Sequence, residues 1–198
     1  MVDLFERKKV NPNPKVEALF GFPAFCKWYG INEPNENSRK LYNSGDVRGR
    51  FAEGVIEKLE GSSNIIADNQ NIRGYDIIRI VDSKGILAEL KSTSTLISSE
   101  STLKHFTCYL QISGLKSKKG KCHEIIILDL VNMRRFCIPH DVFFYEMKFY
   151  DVTKNDEVVD WSFRWFGDYD SDKFYLNGDY RSDKMSHNTK LIQKYEVK

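Results

Sequence analysis

The apolar residues of the stretch 46–60 recur at the spacing of an α-helix. Phe51, Val55 and Leu59 stand four residues apart, so they fall on one stripe of a helix. Gly61 follows directly, and glycine is the residue that most often ends a helix. The pattern therefore predicts a helix over this stretch with one buried face.

From residue 75 the pattern changes to that of β-strands. Residues 75–81 are rich in isoleucine and valine, and residues 86–91 return as an apolar second arm after an Asp-Ser-Lys-Gly turn. The sequence therefore predicts an antiparallel hairpin. Two loops are compatible with it: a two-residue loop of Ser83 and Lys84, or a type I turn followed by a bulge at Gly85.

A second helix is predicted over residues 99–115, where Leu103, Phe106 and Leu110 fall on one stripe. We expect this helix to form a right-handed crossover between two parallel strands, because a connection of this length is what such strands require.

The strand after the crossover is marked by a continuous apolar run at 125–128, which is typical of a strand covered on both faces. Residues 134–138 are expected to return as its antiparallel partner, and the segment 139–141 is expected to open another helix. These elements together predict an α/β (α+β) fold, with a central mixed β-sheet flanked by helices.

Composition divides the chain into three parts. Residues 1–45 are punctuated by proline and asparagine and predict short helices between turns. Residues 46–150 hold the predicted core. Residues 151–198 interleave aromatic with charged side chains, which predicts an aromatic-rich β lobe for recognition or dimerisation. With 198 residues, we expect one compact domain overall.

Charge and cysteine content limit the classes of protein. The chain has 30 basic and 28 acidic residues, so a surface for nucleic acid must be local. Four cysteines without a C-x-x-C pair predict reduced thiols in a cytoplasmic protein. We expect no membrane partner, because no run approaches the ~20 apolar residues of a membrane span. We expect no nucleotide cofactor either, because a Gly-rich phosphate loop is absent from the sequence.

Three polar residues of the predicted hairpin have the chemistry of a divalent-metal site. Glu89 and Lys91 stand two apart on a strand and share a face, while Asp76 lies on the preceding strand. Carboxylates hold Mg²⁺ at phosphate groups, and a lysine can orient or deprotonate the attacking water. The Asp/Glu-x-Lys pattern occurs five times in the chain, so the strand setting of the Glu89 copy carries the prediction.

This prediction sets a geometric condition on the hairpin, because Asp76 must share the face of Glu89. With the two-residue loop, Asp76 lies opposite Lys91 and Glu89 is its diagonal neighbour, roughly 7–8 Å away at Cβ. With the bulged loop, the register slips by one residue and Asp76 points away. The sequence allows both loops, so Asp76 must reach the face of Glu89 through the first register or through a local bend near Gly74.

The order of helix, hairpin, crossover and strand, with Asp76 and Glu89-x-Lys91, resembles the PD-(D/E)xK nuclease superfamily, and a small type II restriction endonuclease in particular. The resemblance covers roughly residues 46–140 and implies a restriction-endonuclease-like core. It implies one or two Mg²⁺ ions per site, with Mn²⁺ as a substitute, held by Asp76, Glu89 and the Leu90 carbonyl. Lys91 would handle the water.

The family also places a glutamate of the preceding helix near the metals. Glu53 and Glu57 lie one turn apart on the predicted helix, and we favour Glu53 as the catalytic one. One departure from the family pattern is Tyr75, which stands where the motif's name has proline. That position varies within the superfamily.

The resemblance implies a Mg²⁺-dependent endonuclease that hydrolyses phosphodiester bonds in double-stranded DNA, with the sequence specificity of a type II restriction enzyme and a homodimeric assembly. A basic cluster is expected to contact the DNA backbone, although a solvated loop also explains it. Its members are Lys116, Lys118, Lys119 and Lys121. Two alternatives stay open: a structure-specific nuclease such as a Holliday junction resolvase or repair nickase, and a non-catalytic DNA-binding module on the same fold.

Overall fold

The computed structural model describes residues 22–67, 75–93, 108–130, 134–167 and 180–197. Three helices precede the first strand: α1 at Phe22–Trp28, α2 at Glu36–Asn43 and α3 at Gly45–Glu60. The last of these confirms the helix predicted at 46–60, and its buried stripe includes the predicted Phe51 and Val55. Helix α3 ends at Gly61, which takes a positive φ of 87° that suits glycine.

The strands follow in chain order, interrupted by short helical segments. The strands are β1 Ile65–Ala67, β2 Ile77–Val81, β3 Lys84–Thr93, β4 Cys108–Ile112, β5 Glu124–Asp129, β6 Arg134–Pro139, β7 Tyr150–Lys154, β8 Glu157–Gly167 and β9 Glu196–Val197. The remaining helical elements are a 3₁₀ turn at Ser62–Asn64, helix α4 at Leu115–Lys118, a π-helical turn at Val142–Glu146, helix α5 at Tyr180–Ile192 and a 3₁₀ turn at Gln193–Tyr195. The helix expected to open at 139–141 is thus a single π-helical turn.

The larger sheet has six strands in the order β1-β2-β3-β5-β6-β9. Strands β3 and β5 are parallel, with Glu89 beside Ile125 and Lys91 beside Ile127. The other neighbouring pairs of this sheet are antiparallel. The predicted fold class, a central mixed β-sheet flanked by helices, is therefore confirmed, as is the parallel pairing of the two strands on either side of the crossover.

The crossover itself differs from the prediction of a helix over residues 99–115. Residues 108–112 form β4, which pairs with β8 in a second sheet of order β4-β8-β7. Leu110 and Ile112 are buried while Gln111 between them is exposed, so the apolar residues follow the period of a strand. The predicted stripe began at Leu103 and Phe106, which lie outside the described residues.

The C-terminal part contains the predicted β structure and also a helix that the sequence did not predict. Strands β7 and β8 form a hairpin whose aromatic residues include the buried Phe163 and Trp165. Helix α5 packs against β8, and β9 pairs with β6 at the edge of the larger sheet. The proposed division of the chain at residues 45 and 150 stays a prediction.

Both faces of the larger sheet are covered, as the apolar run at 125–128 predicted. On one face, Leu90 of β3 and Ile126 of β5 pack with Phe51 of α3. On the other face, Ile127 of β5 packs with Trp165 of β8 and with residues of α5. Glu89 of β3, which neighbours Ile125 of this second cluster, is therefore buried.

The turn between β2 and β3 is neither of the two predicted loops. It consists of Asp82 and Ser83, whose φ angles are +49° and +63°. Two successive positive φ angles define a type I′ turn, whose twist matches that of the two strands. Relative to the predicted two-residue loop, the register moves by two residues, so that Ile77 lies opposite Ala88 rather than Leu90. A shift of two residues preserves which side chains share a face.

The described residues also test two compositional expectations. None of the helices in these ranges is long and apolar enough to cross a membrane. Cys26, Cys122 and Cys137 carry free thiols. Reduced cysteines were the sequence-based expectation for these three positions.

Candidate active site

The open end of the hairpin brings the predicted acidic pair together. Strand β2 begins with Ile77 opposite Ala88, and the paired register ends there. The backbone N–H of Asp76, one residue earlier, also donates to the Ala88 carbonyl at 2.9 Å, which is one residue out of that register. The Asp76 carboxylate nevertheless reaches β3, since its Oδ2 is 3.3 Å from the Lys91 Nζ that also contacts Glu89. The geometric condition is therefore met through this local irregularity, which brings Asp76 to the face of Glu89 and Lys91.

The ammonium group of Lys91 lies at the point where the predicted metal ligands converge. Its Nζ is 2.6 Å from Glu89 Oε1, 3.3 Å from Asp76 Oδ2 and 2.9 Å from the Leu90 carbonyl oxygen. Asp76 Oδ2 also accepts a hydrogen bond of 2.7 Å from the Leu90 backbone N–H, which fixes the carboxylate against β3. Three oxygens from three residues thus surround one positive charge.

The acidic and basic side chains of this cluster stabilise each other in their charged forms. Burial lowers the pKa of the Lys91 ammonium, but Asp76 and Glu89 outweigh burial and raise that pKa above its ordinary value. Burial raises the pKa of the Glu89 carboxyl, but Lys91 and Lys118 outweigh it and bring that pKa below its ordinary value. Glu89 is only 4% exposed, so these opposite charges are what keep it ionised.

Of the two helix carboxylates, Glu53 is the one that faces the cluster. Glu53 is half-buried on α3, whereas Glu57 is exposed. Burial raises the pKa of the Glu53 carboxyl above its ordinary value, and the negative charge of Asp76 raises it further, while Arg50 and Lys91 act in the opposite direction. Electrostatic coupling to both Asp76 and Lys91 distinguishes Glu53 from its neighbour one turn away.

Lys118 is a member of this cluster that the sequence did not assign to it. The sequence places Lys118 among four lysines that were expected to contact DNA. In the structure it ends the short helix α4, and its Nζ contacts Glu89 Oε1, the same oxygen that Lys91 contacts. No sequence pattern signals this contact, because it depends on how β4 and α4 return over β3.

The other lysines of the predicted basic cluster lie on the outer side of α4 and the turn after it. Lys116 Nζ lies 5.5 Å from the ring centre of Trp161 and also donates to the Val158 carbonyl. Lys119 Nζ lies 4.4 Å from the ring centre of Tyr145. Lys121 is exposed. Together with Tyr145 and Trp161, these three lysines form a surface that we call the basic-aromatic surface.

The oxygen donors of the cluster fit a Mg²⁺ ion. They already surround the Lys91 ammonium, which takes the place that a metal cation would have. Mg²⁺ takes oxygen ligands, commonly one or two carboxylates, and keeps several waters. The described residues contain no group of three or more His, Cys, Asp or Glu side chains that could hold a metal. Asp76, Glu89 and the Leu90 carbonyl would therefore hold a metal that stays partly hydrated.

Cys122 lies beside Glu89 but does not have the properties of a nucleophile. Burial raises the pKa of its thiol to about 11, and the negative charge of Glu89 contributes in the same direction. The reactive form of cysteine is the thiolate, which is therefore scarce at neutral pH. The environment of Cys122 therefore does not activate its thiol as a nucleophile.

Comparisons with known proteins give a distant likeness among solved structures. No protein-family model matches the chain, and no curated protein matches it. Among solved structures, a bacterial homing endonuclease aligns with 77% of this chain and 94% of its own, with a TM-score of 0.44 and 12% sequence identity. A likeness of this degree carries no argument about the site, whose interpretation depends on the geometry above.

Proposed function

We propose that this protein is a Mg²⁺-dependent endonuclease that hydrolyses phosphodiester bonds in double-stranded DNA. The observation that carries the proposal is the convergence of Asp76 Oδ2, Glu89 Oε1 and the Leu90 carbonyl on the Lys91 ammonium. Two carboxylates, a carbonyl and a lysine within a few ångströms form the set of groups that metal-dependent phosphodiester hydrolysis needs. The half-buried Glu53 adds a third carboxylate nearby.

The reaction forms one bond and breaks another at phosphorus. The oxygen of water bonds to phosphorus, one P–O ester bond breaks, and the leaving oxygen takes up a proton. A bound Mg²⁺ would offset the charge of the phosphate and acidify a water molecule. Asp76, Glu89 and the Leu90 carbonyl would hold that ion against the end of β3.

Lys91 and Glu53 have complementary roles in this proposal. The raised pKa of Lys91 keeps its side chain protonated, so it donates hydrogen bonds to the attacking water or to a phosphate oxygen and stabilises developing negative charge. The raised pKa of Glu53 makes its carboxylate a better acceptor for the proton that the water releases.

The basic-aromatic surface is where we place the DNA backbone. It shares helix α4 with Lys118, and so continues outward from the cluster around Glu89. Tyr145 is 66% exposed there, which leaves an aromatic face accessible beside Lys119. The tip of the β7–β8 hairpin is less suited to a phosphate backbone. Residues 151–159 are all exposed, and they carry three acidic side chains and one basic one.

Within this class, we propose a sequence-specific enzyme of the type II restriction kind that acts as a homodimer. Two identical sites related by a two-fold axis suit the cutting of both strands of a palindromic sequence. The two alternatives are a structure-specific nuclease and a non-catalytic DNA-binding module on the same fold. The first experiment below distinguishes both of them from a sequence-specific restriction enzyme.

The proposed function predicts cleavage that requires both Mg²⁺ and Asp76. The protein is incubated with plasmid, phage and four-way junction DNA, with Mg²⁺ or with EDTA. We expect discrete fragments from the linear and circular duplexes with Mg²⁺ only, and a loss of about 10³-fold in Asp76→Asn, because the amide keeps the shape but not the charge that holds the ion.

The other possible outcomes of this cleavage experiment favour a different function or contradict the proposed one. Cleavage of the junction alone favours the structure-specific nuclease. Binding of DNA without cleavage of any substrate favours the non-catalytic module. Cleavage that persists in EDTA, or in Asp76→Asn, contradicts the proposed chemistry.

The basic-aromatic surface predicts a change in the salt dependence of DNA binding. In the double variant Lys119→Ala/Lys121→Ala, the slope of log K against log salt should become shallower by about 0.9 for each phosphate that the protein no longer neutralises. Binding is measured by fluorescence anisotropy in EDTA, which prevents cleavage. Lys154→Ala, in the acidic hairpin tip, serves as the control of equal charge change per site. An unchanged slope in the double variant would show that the DNA backbone does not bind at this surface.

A further inference from the structure

Lys118 stands out because it gives Glu89 a second positive partner. The Nζ atoms of Lys118 and Lys91 both contact Glu89 Oε1, and the Glu89 side chain is 5% exposed. One buried carboxylate is balanced by one ammonium group, so the second is more than Glu89 alone requires. Counted with Asp76, the site already has two positive and two negative side chains before any metal enters.

The backbone that carries Lys118 is held firmly, so its position beside Glu89 is set by the fold. Asp160 accepts hydrogen bonds from the backbone N–H of Gly114 at 2.6 Å and of Lys116 at 3.1 Å, which fixes the start of α4 to β8. Leu115 is 1% exposed and anchors the same helix in the core.

Among the described residues, few acidic ligands are available for a second metal ion. Asp76 and Glu89 would both hold the first ion, because both contact the Lys91 ammonium that takes its place. Glu53 is the remaining carboxylate coupled to the site. Nucleases that use two metals place the second positive charge at the phosphate undergoing hydrolysis. Here a positive charge is already present in the form of Lys118.

We propose that the site works with one divalent cation and that Lys118 supplies the second positive charge. Without metal, Lys118 holds Glu89; once a cation has taken over Glu89, the Lys118 ammonium is released to a non-bridging oxygen of the phosphodiester. The contact of Lys118 with the phosphodiester rests on the proposed function. The competition between Lys118 and a cation for Glu89 does not, because it concerns the protein and the cation alone.

The proposal predicts two effects of opposite direction in Lys118→Met, which keeps most of the side-chain volume and removes the charge. Mn²⁺ should bind about tenfold more tightly, because an ammonium that competes for Glu89 is gone. Single-turnover cleavage of DNA at saturating Mn²⁺ should fall about 10²-fold, because a charge at the phosphate is removed. A purely structural lysine would not tighten metal binding while weakening cleavage.

The test is a titration of the full chain with Mn²⁺, followed by electron paramagnetic resonance, without DNA. We expect one Mn²⁺ per wild-type chain, tighter binding in Lys118→Met and wild-type affinity in Lys118→Arg, which restores the charge. Lys84→Met, an exposed lysine at the far end of the strand that carries Glu89, should not differ from wild type. Thermal unfolding is recorded for each variant to verify folding.

Two results would overturn the proposal: two Mn²⁺ ions per wild-type chain, or unchanged or weaker Mn²⁺ binding in both Lys118→Met and Lys118→Gln. If the wild-type chain cleaves no DNA, the proposed function fails separately, and the Mn²⁺ titration still decides whether Lys118 competes for Glu89.

Discussion

Replacement of Lys91 by methionine is expected to lower Mg²⁺-dependent DNA cleavage by about 10³-fold or more while metal binding becomes tighter. The Lys91 ammonium contacts all three oxygens that would hold the cation. Its removal frees those oxygens, so the metal no longer competes with it. The same change removes the donor that would stabilise negative charge at the phosphate, so cleavage falls although the metal is bound.

Three measurements separate these effects. Single-turnover cleavage gives the loss of the chemical step, and Mn²⁺ titration gives the metal affinity. Unfolding in urea reports whether Asp76 and Glu89, left facing each other without Lys91, destabilise the hairpin. Lys84→Met at the other end of β3 is the matched control and should behave as wild type in all three. Near-normal cleavage in Lys91→Met would exclude this lysine from the chemistry.

Replacement of Lys91 is expected to change metal affinity and DNA cleavage more than replacement of Lys118. Lys91 contacts Asp76, Glu89 and the Leu90 carbonyl, whereas the acidic partner of Lys118 is Glu89. Removal of Lys91 therefore frees the entire set of proposed ligands, and removal of Lys118 frees one of them. The larger gain in metal affinity and the larger loss of cleavage should both occur in Lys91→Met.

The alternation of side chains along a strand is the part of the site that the sequence predicts well. Glu89 and Lys91 share a face because they stand two apart, and this holds whatever the fold around them. The placement of Asp76 is harder to predict, since it depends on the turn. One of the two predicted loops places a bulge at Gly85, but the turn consists of Asp82 and Ser83, which adopt the positive φ angles. Asp76 still reaches Lys91, although its N–H donates to Ala88 outside the register of the hairpin.

Contacts between distant segments are what the sequence does not predict. Residues 108–112 have an apolar pattern compatible with either a helix or a strand, and their pairing with β8, some fifty residues later, decides in favour of the strand. The place of Lys118 follows from that pairing, since α4 comes directly after β4. In the same way, only the packing of α3 on the sheet separates Glu53 from Glu57.

Replacement of Arg79 by methionine is expected to lower the free energy of unfolding by about 3–5 kcal/mol. Arg79 on β2 donates to Glu60 at the end of α3 at 3.0 Å and to Glu124 on β5 at 2.5 Å. The three side chains are only 12–16% exposed, so a carboxylate left behind has little access to water. Burial lowers the pKa of the Arg79 guanidinium, but Glu124 and Glu60 outweigh it and raise that pKa.

The two carboxylates should not contribute equally to this loss. Glu60 also contacts Arg135 of β6 and so keeps a cationic partner, whereas Glu124 loses the guanidinium that holds it. The double variant Arg79→Met/Glu124→Gln should therefore recover more than half of the lost stability, because replacing both members of a buried pair costs less than removing one. Arg79→Met/Glu60→Gln should recover less, since that change leaves Arg135 without its carboxylate partner. Urea unfolding of the two double variants decides between them, and equal recovery would show that Arg135 does not compensate for Arg79.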